Sequence, residues 1–361
     1  MLYEKILKPL FFKFDPEDVH DFIIWFGRLL GKFYLTRRLV WSLCGYRNKR
    51  LSQNVLGIEF PNPIGLAAGF DKDVKLMKIL PCVGFGYEEI GSITGEPCKG
   101  NAKPRLWRIP KHKALVVYYG LKNPGSEVVA RRLKGKKFNF PIGISVAKTN
   151  CKETAKIDSG VKDYVKAFNL MKDYADYITV NISCPNAFGG LPFTDPESLE
   201  RLLTELDKIK TDKPVFLKLS PDLSKSELDD IIGVCNEHRI GGFVISNLTK
   251  KRDLTGIPEK DFENVGSGGV SGPYLQKISN SLINYVYKKT KGKYAIIGCG
   301  GIFTAEDIWE KMKAGASLVQ LITGMIYHGP QLIGKLNQDL VKLMDKEGVK
   351  NISEIIGKGL E

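Results

Sequence analysis

Paired cysteines are missing from this chain. Its seven cysteines, at 44, 82, 98, 151, 184, 235 and 299, include no C-x-x-C and share no zinc spacing with histidine. That pattern excludes a zinc module and a ferredoxin-like iron–sulfur array, and the thiols read as reduced cysteines of a cytosolic protein. No compact Lys/Arg run with interleaved aromatics occurs, so nucleic acid is not expected as a partner. No small-residue cleavage site follows the first apolar stretch, and Arg28 and Lys32 interrupt it short of a bilayer span, so neither a signal peptide nor a transmembrane helix is expected. No G-x-G-x-x-G opens a helix after a strand, which argues against a Rossmann nicotinamide site. No Gly/Ser linker or low-complexity tract divides the 361 residues.

What is present describes a soluble globular core: 43% hydrophobic and 26% charged residues, with a formal net charge of +14 that favours an anionic partner. Near the N-terminus, Tyr3, Ile6, Leu7, Leu10 and Phe11 recur at helical spacing around Lys8 and Lys13. Asp15-Pro16-Glu17-Asp18 then opens a second helix with a capping side chain, proline at the first helical position and acids in the first turn. Its apolar stripe of Val19, Phe22, Ile23, Phe26, Leu29, Leu30 and Phe33 is widened by Ile24 and Trp25 beyond what a surface helix requires. With Arg37, Arg38, Arg47, Lys49 and Arg50 beside it, this basic amphipathic pair fits a monotopic membrane anchor, or a helical pair packed on the protein's own core. Residues 1–50 are therefore expected to form an appendage and residues 51–361 the main domain.

From about residue 60 the pattern becomes strand–helix repeats. Strands are expected near 63–67, 86–93, 143–146, 177–181, 215–219, 242–247, 295–298 and 318–322. Helices are expected at 163–174, 196–209, 224–235, 273–289, 305–314 and 331–344. Eight alternating units specify an α/β fold, a (β/α)8 TIM barrel with an N-terminal amphipathic helical appendage. Residues 105–118, with Pro110-Lys111-His112 in the middle, read as a hairpin inserted over the barrel mouth.

The chemistry-bearing residues fall at strand ends, where such barrels place their sites. Asn181-Ile182-Ser183-Cys184-Pro185-Asn186 follows the apolar run Tyr177–Val180, bringing two amides and a thiol to a strand mouth. Three glycine clusters, Gly268–Gly272, Gly298–Gly301 and Thr323-Gly324, surround the last strands and suit a phosphate held on bare amides. Lys218 stands inside the apolar strand Val215–Leu219, an expensive place for a cation unless an anion or polar network satisfies it. Lys72 stands just past the first barrel strand.

Together, Ala67-Ala68-Gly69-Phe70-Asp71-Lys72-Asp73, Asn181–Asn186, Lys218, Ser246-Asn247, the glycine clusters and Phe14-Asp15-Pro16-Glu17…His20 resemble dihydroorotate dehydrogenase over nearly the whole chain. The N-terminal helices resemble its membrane-associated, quinone-linked branch. The resemblance implies an FMN barrel that oxidises dihydroorotate to orotate in de novo pyrimidine biosynthesis and passes electrons to a quinone. It also implies a peripheral place on the cytoplasmic face of the cell membrane, or a cytoplasmic one if the helices only pack on the barrel. By resemblance, Lys218 neutralises charge near the flavin pyrimidine edge and Ser92 lies against the isoalloxazine. Asn181, Asn186 and Asn247 bind the substrate ring, and Lys72 bridges flavin and substrate. The amides of Gly272, Gly301, Thr323 and Gly324 hold the phosphate. Ala68, Gly69, Ser145, Asn181 and Ser246 complete the flavin contacts, and His20 and Arg108 belong to the quinone site.

The chain departs from that pattern in several places. Cys184 stands where the quinone-linked branch has serine as its base. Val117-Tyr118-Tyr119-Gly120-Leu121-Lys122-Asn123 replaces an Asn-Arg-x-Gly-Phe-Asn-Asn hairpin, removing one substrate asparagine. Leu248 replaces a hydroxyl residue, Ser145 a flavin-contacting asparagine and Ile322 the tunnel tyrosine. In the leading reading Cys184 removes the proton at substrate C5 while hydride leaves C6 for flavin N5. A thiol with an ordinary pKa near ~8.5 suits that role at neutral pH, with Lys72 expected to favour the thiolate. Other readings keep the flavin barrel with a different reduced pyrimidine, an enoate, or a soluble acceptor such as fumarate. A further one is a non-catalytic flavin- or phosphate-ligand-binding protein at the membrane.

Overall fold

The computed structural model describes residues 3–359. Along the chain the strands are β1 (Gln53–Val55), β2 (Ile58–Phe60), β3 (Ile64–Leu66), β4 (Tyr87–Thr94), β5 (Leu106–Ile109), β6 (Ala114–Val117), β7 (Ile142–Ala147), β8 (Tyr177–Asn181), β9 (Val215–Leu219), β10 (Gly242–Ile245), β11 (Gly269–Ser271), β12 (Ala295–Cys299) and β13 (Leu318–Leu321). Eight of them, in the order β3-β4-β7-β8-β9-β10-β12-β13, close a barrel, and every barrel pair is parallel. All eight match the strands expected from the sequence. Helices such as Pro196–Asp207, Lys225–Asn236, Ala305–Lys313 and Leu332–Lys346 cover the outside. Ser224 and Thr304 open two of them with reciprocal capping boxes, which fixes where those helices start.

The barrel interior is layered. Its lower half is filled by Tyr87, Tyr177, Phe216, Val244, Ile297 and Leu318, and the hairpin β1–β2 adds Val55 and Phe60 as a bottom plug. Small residues make room for the rings: a Cβ on Gly143 would sit 2.1 Å from the Tyr177 ring. The layer above is polar, with Glu89, Thr179, Lys218 and Gln320 all buried. It forms the floor of the barrel mouth.

Some elements differ from expectation. Residues 105–118 do form a hairpin, β5–β6, but Gly268–Gly272 is no simple turn before a helix. Its middle is β11, antiparallel to β6, so the mouth carries a three-stranded lid. Glycine is required there because a Cβ on Gly269 would lie 2.6 Å from that of Leu248. The helix expected from 163 begins at Ile157, and the short, charged helix Ser126–Leu133 and the helix Tyr34–Cys44 have no counterpart in the expected set.

The N-terminal helix Pro16–Lys32 starts as read: Asp15 accepts from the amides of Glu17 and Asp18. It combines the two readings of its apolar stripe. Ile24 and Gly31 are buried, and Gly27 and Gly31 lie against Leu76, Lys78 and Ile79. Phe22, Trp25, Phe26 and Phe33 are exposed, as are Leu10, Phe14, Leu35 and Leu39 in the neighbouring N-terminal elements. Among the described residues no helix is long and apolar enough to cross a membrane.

Candidate active site

Parallel strand ends deliver the polar residues to one cavity. Asn181 on β8 is the register partner of Lys218 on β9, so the two stand side by side at the rim. The Asn181 side chain donates to Ser92 Oγ at 2.8 Å and accepts from Ser183, through its amide at 3.1 Å and its hydroxyl at 3.0 Å. Asn247 donates to the Ser183 carbonyl (3.0 Å) and hydroxyl (3.1 Å), and accepts from the Leu248 amide. Ser183 therefore locks both asparagines and fixes the turn that presents Cys184. Asn186 donates to the Val117 carbonyl at 2.8 Å, leaving its buried Oδ1 without a partner on the cavity wall.

Lys218 explains itself through a residue the sequence reading passed over. Glu89 Oε1 lies 4.0 Å from Lys218 Nζ, both side chains being almost wholly buried. The other oxygen, Oε2, accepts from Thr179 (2.9 Å), Gln320 (3.0 Å) and Tyr177 (3.3 Å). Gln320 Oε1 is buried without a partner and its residue lines the cavity beside Lys218. An acidic residue in a strand buried at every position carried the same signal as Lys218.

The loop after β3 is shaped by Asp71. Its carboxylate accepts from the amides of Asp73 (3.1 Å), Lys75 (2.7 Å) and Leu76 (2.6 Å), which sets the backbone that carries Lys72. Lys72 Nζ stands 3.7 Å from the Tyr119 ring centroid, and burial with nearby Lys122 pulls its pKa down to about 8. Tyr119 lines the cavity with a buried, unpartnered hydroxyl, and Lys122 joins it on the wall. Neither was singled out from the sequence.

At the far end the wall is glycine backbone: Gly300, Gly301, Thr323 and Gly324. Gly301 has φ +72°, and a Cβ there would lie 2.2 Å from the Gln276 amide nitrogen; one on Gly324 would lie 2.3 Å from the Ile302 carbonyl. No acceptor among the described residues takes the amides of Gly301, Thr323 or Gly324. Such a cradle of free amides suits a phosphate.

Cys184 lines the cavity and is half-buried. Burial raises its pKa, opposed by a hydrogen bond from the Asn186 amide and by Lys148. Leu248, Pro185 and Val117 make the wall beside it apolar.

Of the expected residues, Ala68, Gly69, Lys72, Ser92, Asn181, Cys184, Asn186, Lys218, Ser246, Asn247, Gly301, Thr323, Gly324 and His20 share this wall. Three do not. Ser145 stands behind Ser92, its hydroxyl 2.8 Å from that of Ser92, because the shortened side chain stops one layer short of the cavity. Gly272 lies behind Ser271, whose hydroxyl pairs with Thr323 at 2.9 Å. Arg108 turns toward the N-terminal helices, donating to the carbonyls of Phe11 (3.3 Å) and Phe14 (3.1 Å) with Phe12 stacked 4.6 Å away. His20 Nε2 pairs with the Phe70 carbonyl at 2.9 Å, and an apolar corridor of Leu106, Leu115, Leu121, Ile322 and Ile326 extends the cavity on that side.

Residues 50–344 match the family model described as dihydroorotate dehydrogenase. The chain is 38% identical to "Dihydroorotate dehydrogenase (quinone)" of Acaryochloris marina, over 99% of each chain. It is 39% identical to the protein of that name from Christiangramia forsetii, over 94% of this chain and 99% of that one. The crystal structure of DHODH from Eimeria tenella in complex with ferulenol superposes with a TM-score of 0.82 at 30% identity, covering 95% of both chains. The ligand-free structure of that protein gives 0.85 at 29% identity, covering 96% of this chain and all of the other. With its barrel, its rim of asparagines and its glycine cradle, the chain belongs to the dihydroorotate dehydrogenase family.

Proposed function

We propose that this protein oxidises dihydroorotate to orotate with FMN as cofactor and Cys184 as base, and passes the electrons to a quinone. The observation that carries the reading is the convergence of Cys184, three asparagines, buried Lys218, half-buried Lys72 and a cradle of free amides on one cavity. These residues fit FMN. Unpartnered Gln320 Oε1 and Lys218 offer an acceptor and a cation for the polar edge of a planar ring, and Gly301, Thr323 and Gly324 offer donors for its phosphate. When bound, the flavin supplies the two-electron acceptor for the hydride that leaves substrate C6.

The chain's own residues do the rest. Asn181, Asn186 and Asn247 orient the substrate ring, with Ser183 holding two of them in place. The unpartnered Asn186 Oδ1 suits a ring N–H. Lys72 presents a charge beside the cavity that its lowered pKa keeps partly titratable near pH 8, in reach of a carboxylate. Cys184 takes the C5 proton onto its sulfur, flanked by the apolar wall of Val117, Pro185 and Leu248.

His20 and the corridor of Leu106, Leu115, Ile322 and Ile326 suit a quinone ring arriving from the N-terminal side. Residues 1–50 act as a membrane-docking unit and 51–361 as the barrel domain. The docking unit lays its exposed Phe22, Trp25, Phe26, Phe33 and Leu35 into an anionic bilayer surface, in line with the +14 net charge. The test is anaerobic: purified protein should carry about one FMN per chain, and that flavin should bleach when dihydroorotate is added. A folded preparation that ignores both FMN and dihydroorotate overturns the reading.

A further inference from the structure

Cys184 needs a cation to serve as a base at neutral pH, because burial acts against its thiolate. Lys72, the residue expected to supply it, is not among the charges that act on Cys184; its ammonium stands over the Tyr119 ring at 3.7 Å. We propose that Lys148 is the positioning residue that favours the thiolate form of Cys184, acting from its tether to the active-site loop; this rests on the reading of Cys184 as the base.

Lys148 follows directly on β7 and is 4% exposed. Its Nζ donates to the Phe188 carbonyl at 2.8 Å, in the same loop that carries Cys184, and makes no ion pair with a carboxylate among the described residues. A buried ammonium without a counter-ion is costly, so the chain has a reason to bring an anion to it. The ionisable groups whose charge acts on Lys148 are the thiols of Cys184, Cys151 and Cys98 and the carboxylate of Asp163. Asp163 is already taken by the Thr149 amide and hydroxyl and the Gly95 amide. Of the three thiols only Cys184 lines the cavity.

On Cys184 the hydrogen bond from the Asn186 amide and the charges of Lys148, Cys98 and Lys250 act. Lys250 is exposed, with its ammonium 5.7 Å from the Tyr118 ring, so water screens it. Lys148 is the buried cation of the set. Absent from the cavity wall, it is positioned to bias the thiol without touching substrate. Before substrate enters, the Cys184 thiol loses its proton to cavity water, and the free Sγ lone pair of the resulting thiolate then accepts the proton from substrate C5.

The experiment follows iodoacetamide alkylation of Cys184 against pH in the substrate-free holoenzyme, read by the mass of the peptide that contains it. Lys148→Met is expected to move the alkylation midpoint up by about one pH unit or more, the usual effect of a close opposite charge. Lys148→Gln, which keeps a donor for the Phe188 carbonyl, gives the same shift and decides the matter if the methionine variant fails to fold. Lys148→Arg restores the wild-type midpoint. Neutral variants that titrate like wild type, or a larger shift from Lys72→Met, overturn the proposal. The base reading is tested separately by flavin reduction in Cys184→Ala. If that variant reduces normally while the Lys148 shift is present, the coupling stands and the base assignment falls.

Discussion

Replacing Glu17 with glutamine removes the carboxylate on which three cations converge. Arg105 donates to it through Nε (2.9 Å) and Nη2 (2.8 Å), Lys122 donates at 3.0 Å, and Lys103 stands at 3.7 Å. Glu17 is on the first turn of the N-terminal helix, whereas Arg105 and Lys122 belong to the lid over the barrel mouth, so this cluster fastens the appendage to the site. Burial alone would raise the Glu17 pKa, but the hydrogen bonds from Arg105 and Lys122 hold it at about 2, against an ordinary value of 4.5. That depression corresponds to about 3 kcal/mol, at the low end of the ~3–5 kcal/mol cost of breaking a buried pair. Because the carboxyl pKa is depressed on folding, the stabilisation is fully present above pH 4.5 and is lost as the pH falls toward 2. Urea unfolding should therefore show Glu17→Gln less stable by about 3 kcal/mol at pH 7, with a flatter loss of stability between pH 4.5 and 2 than wild type. Tryptic cleavage within residues 3–32 should quicken, since the helix loses its main polar tether. A variant within about 1 kcal/mol of wild type, with an unchanged acid slope, would show that the cluster is only a surface ion pair and refute the reasoning.

Three further outcomes follow from the site. Lys218→Ala should weaken FMN binding and lower the flavin midpoint potential, checked by equilibrium dialysis and potentiometric titration, because Glu89 is then left buried without its cation. Deleting residues 1–33 should abolish binding to anionic vesicles and quinone reduction while leaving flavin bleaching by dihydroorotate intact; vesicle flotation and a quinone assay decide it. Val117→Asn, which restores an amide to the apolar wall, should raise kcat/KM for dihydroorotate up to about tenfold, the effect of one added hydrogen bond; steady-state kinetics would register a fall instead if the wall serves another substrate.

The barrel was legible because each strand is a short apolar run between helices with clear stop and start signals, and parallel strands buried on both faces leave little ambiguity. Asn181, Cys184 and Lys218 were legible for a related reason: polar residues in or just past such runs need a purpose. Glu89 carried that signal too, but beside Glu88 the pair reads as a polar interruption of the run rather than as a buried acid. Tyr119, Lys122 and Lys148 were not legible, since their meaning lies in contacts across the fold, with Lys72, Glu17 and the Phe188 carbonyl respectively. Arg108 and Ser145 show the converse. A family pattern assigns positions to a site, but side-chain length and the pull of the N-terminal carbonyls decide whether this chain's residue reaches the cavity.

The account turns on Cys184, and stopped-flow reduction of the bound flavin by dihydroorotate in Cys184→Ala tests it most directly. Loss of a positioned base should slow that step by roughly a hundredfold or more with flavin content unchanged, and Cys184→Ser should retain part of the rate with its pH optimum moved upward. Reduction of the alanine variant at wild-type speed would contradict the account and leave Cys184 a packing residue of the loop that carries it.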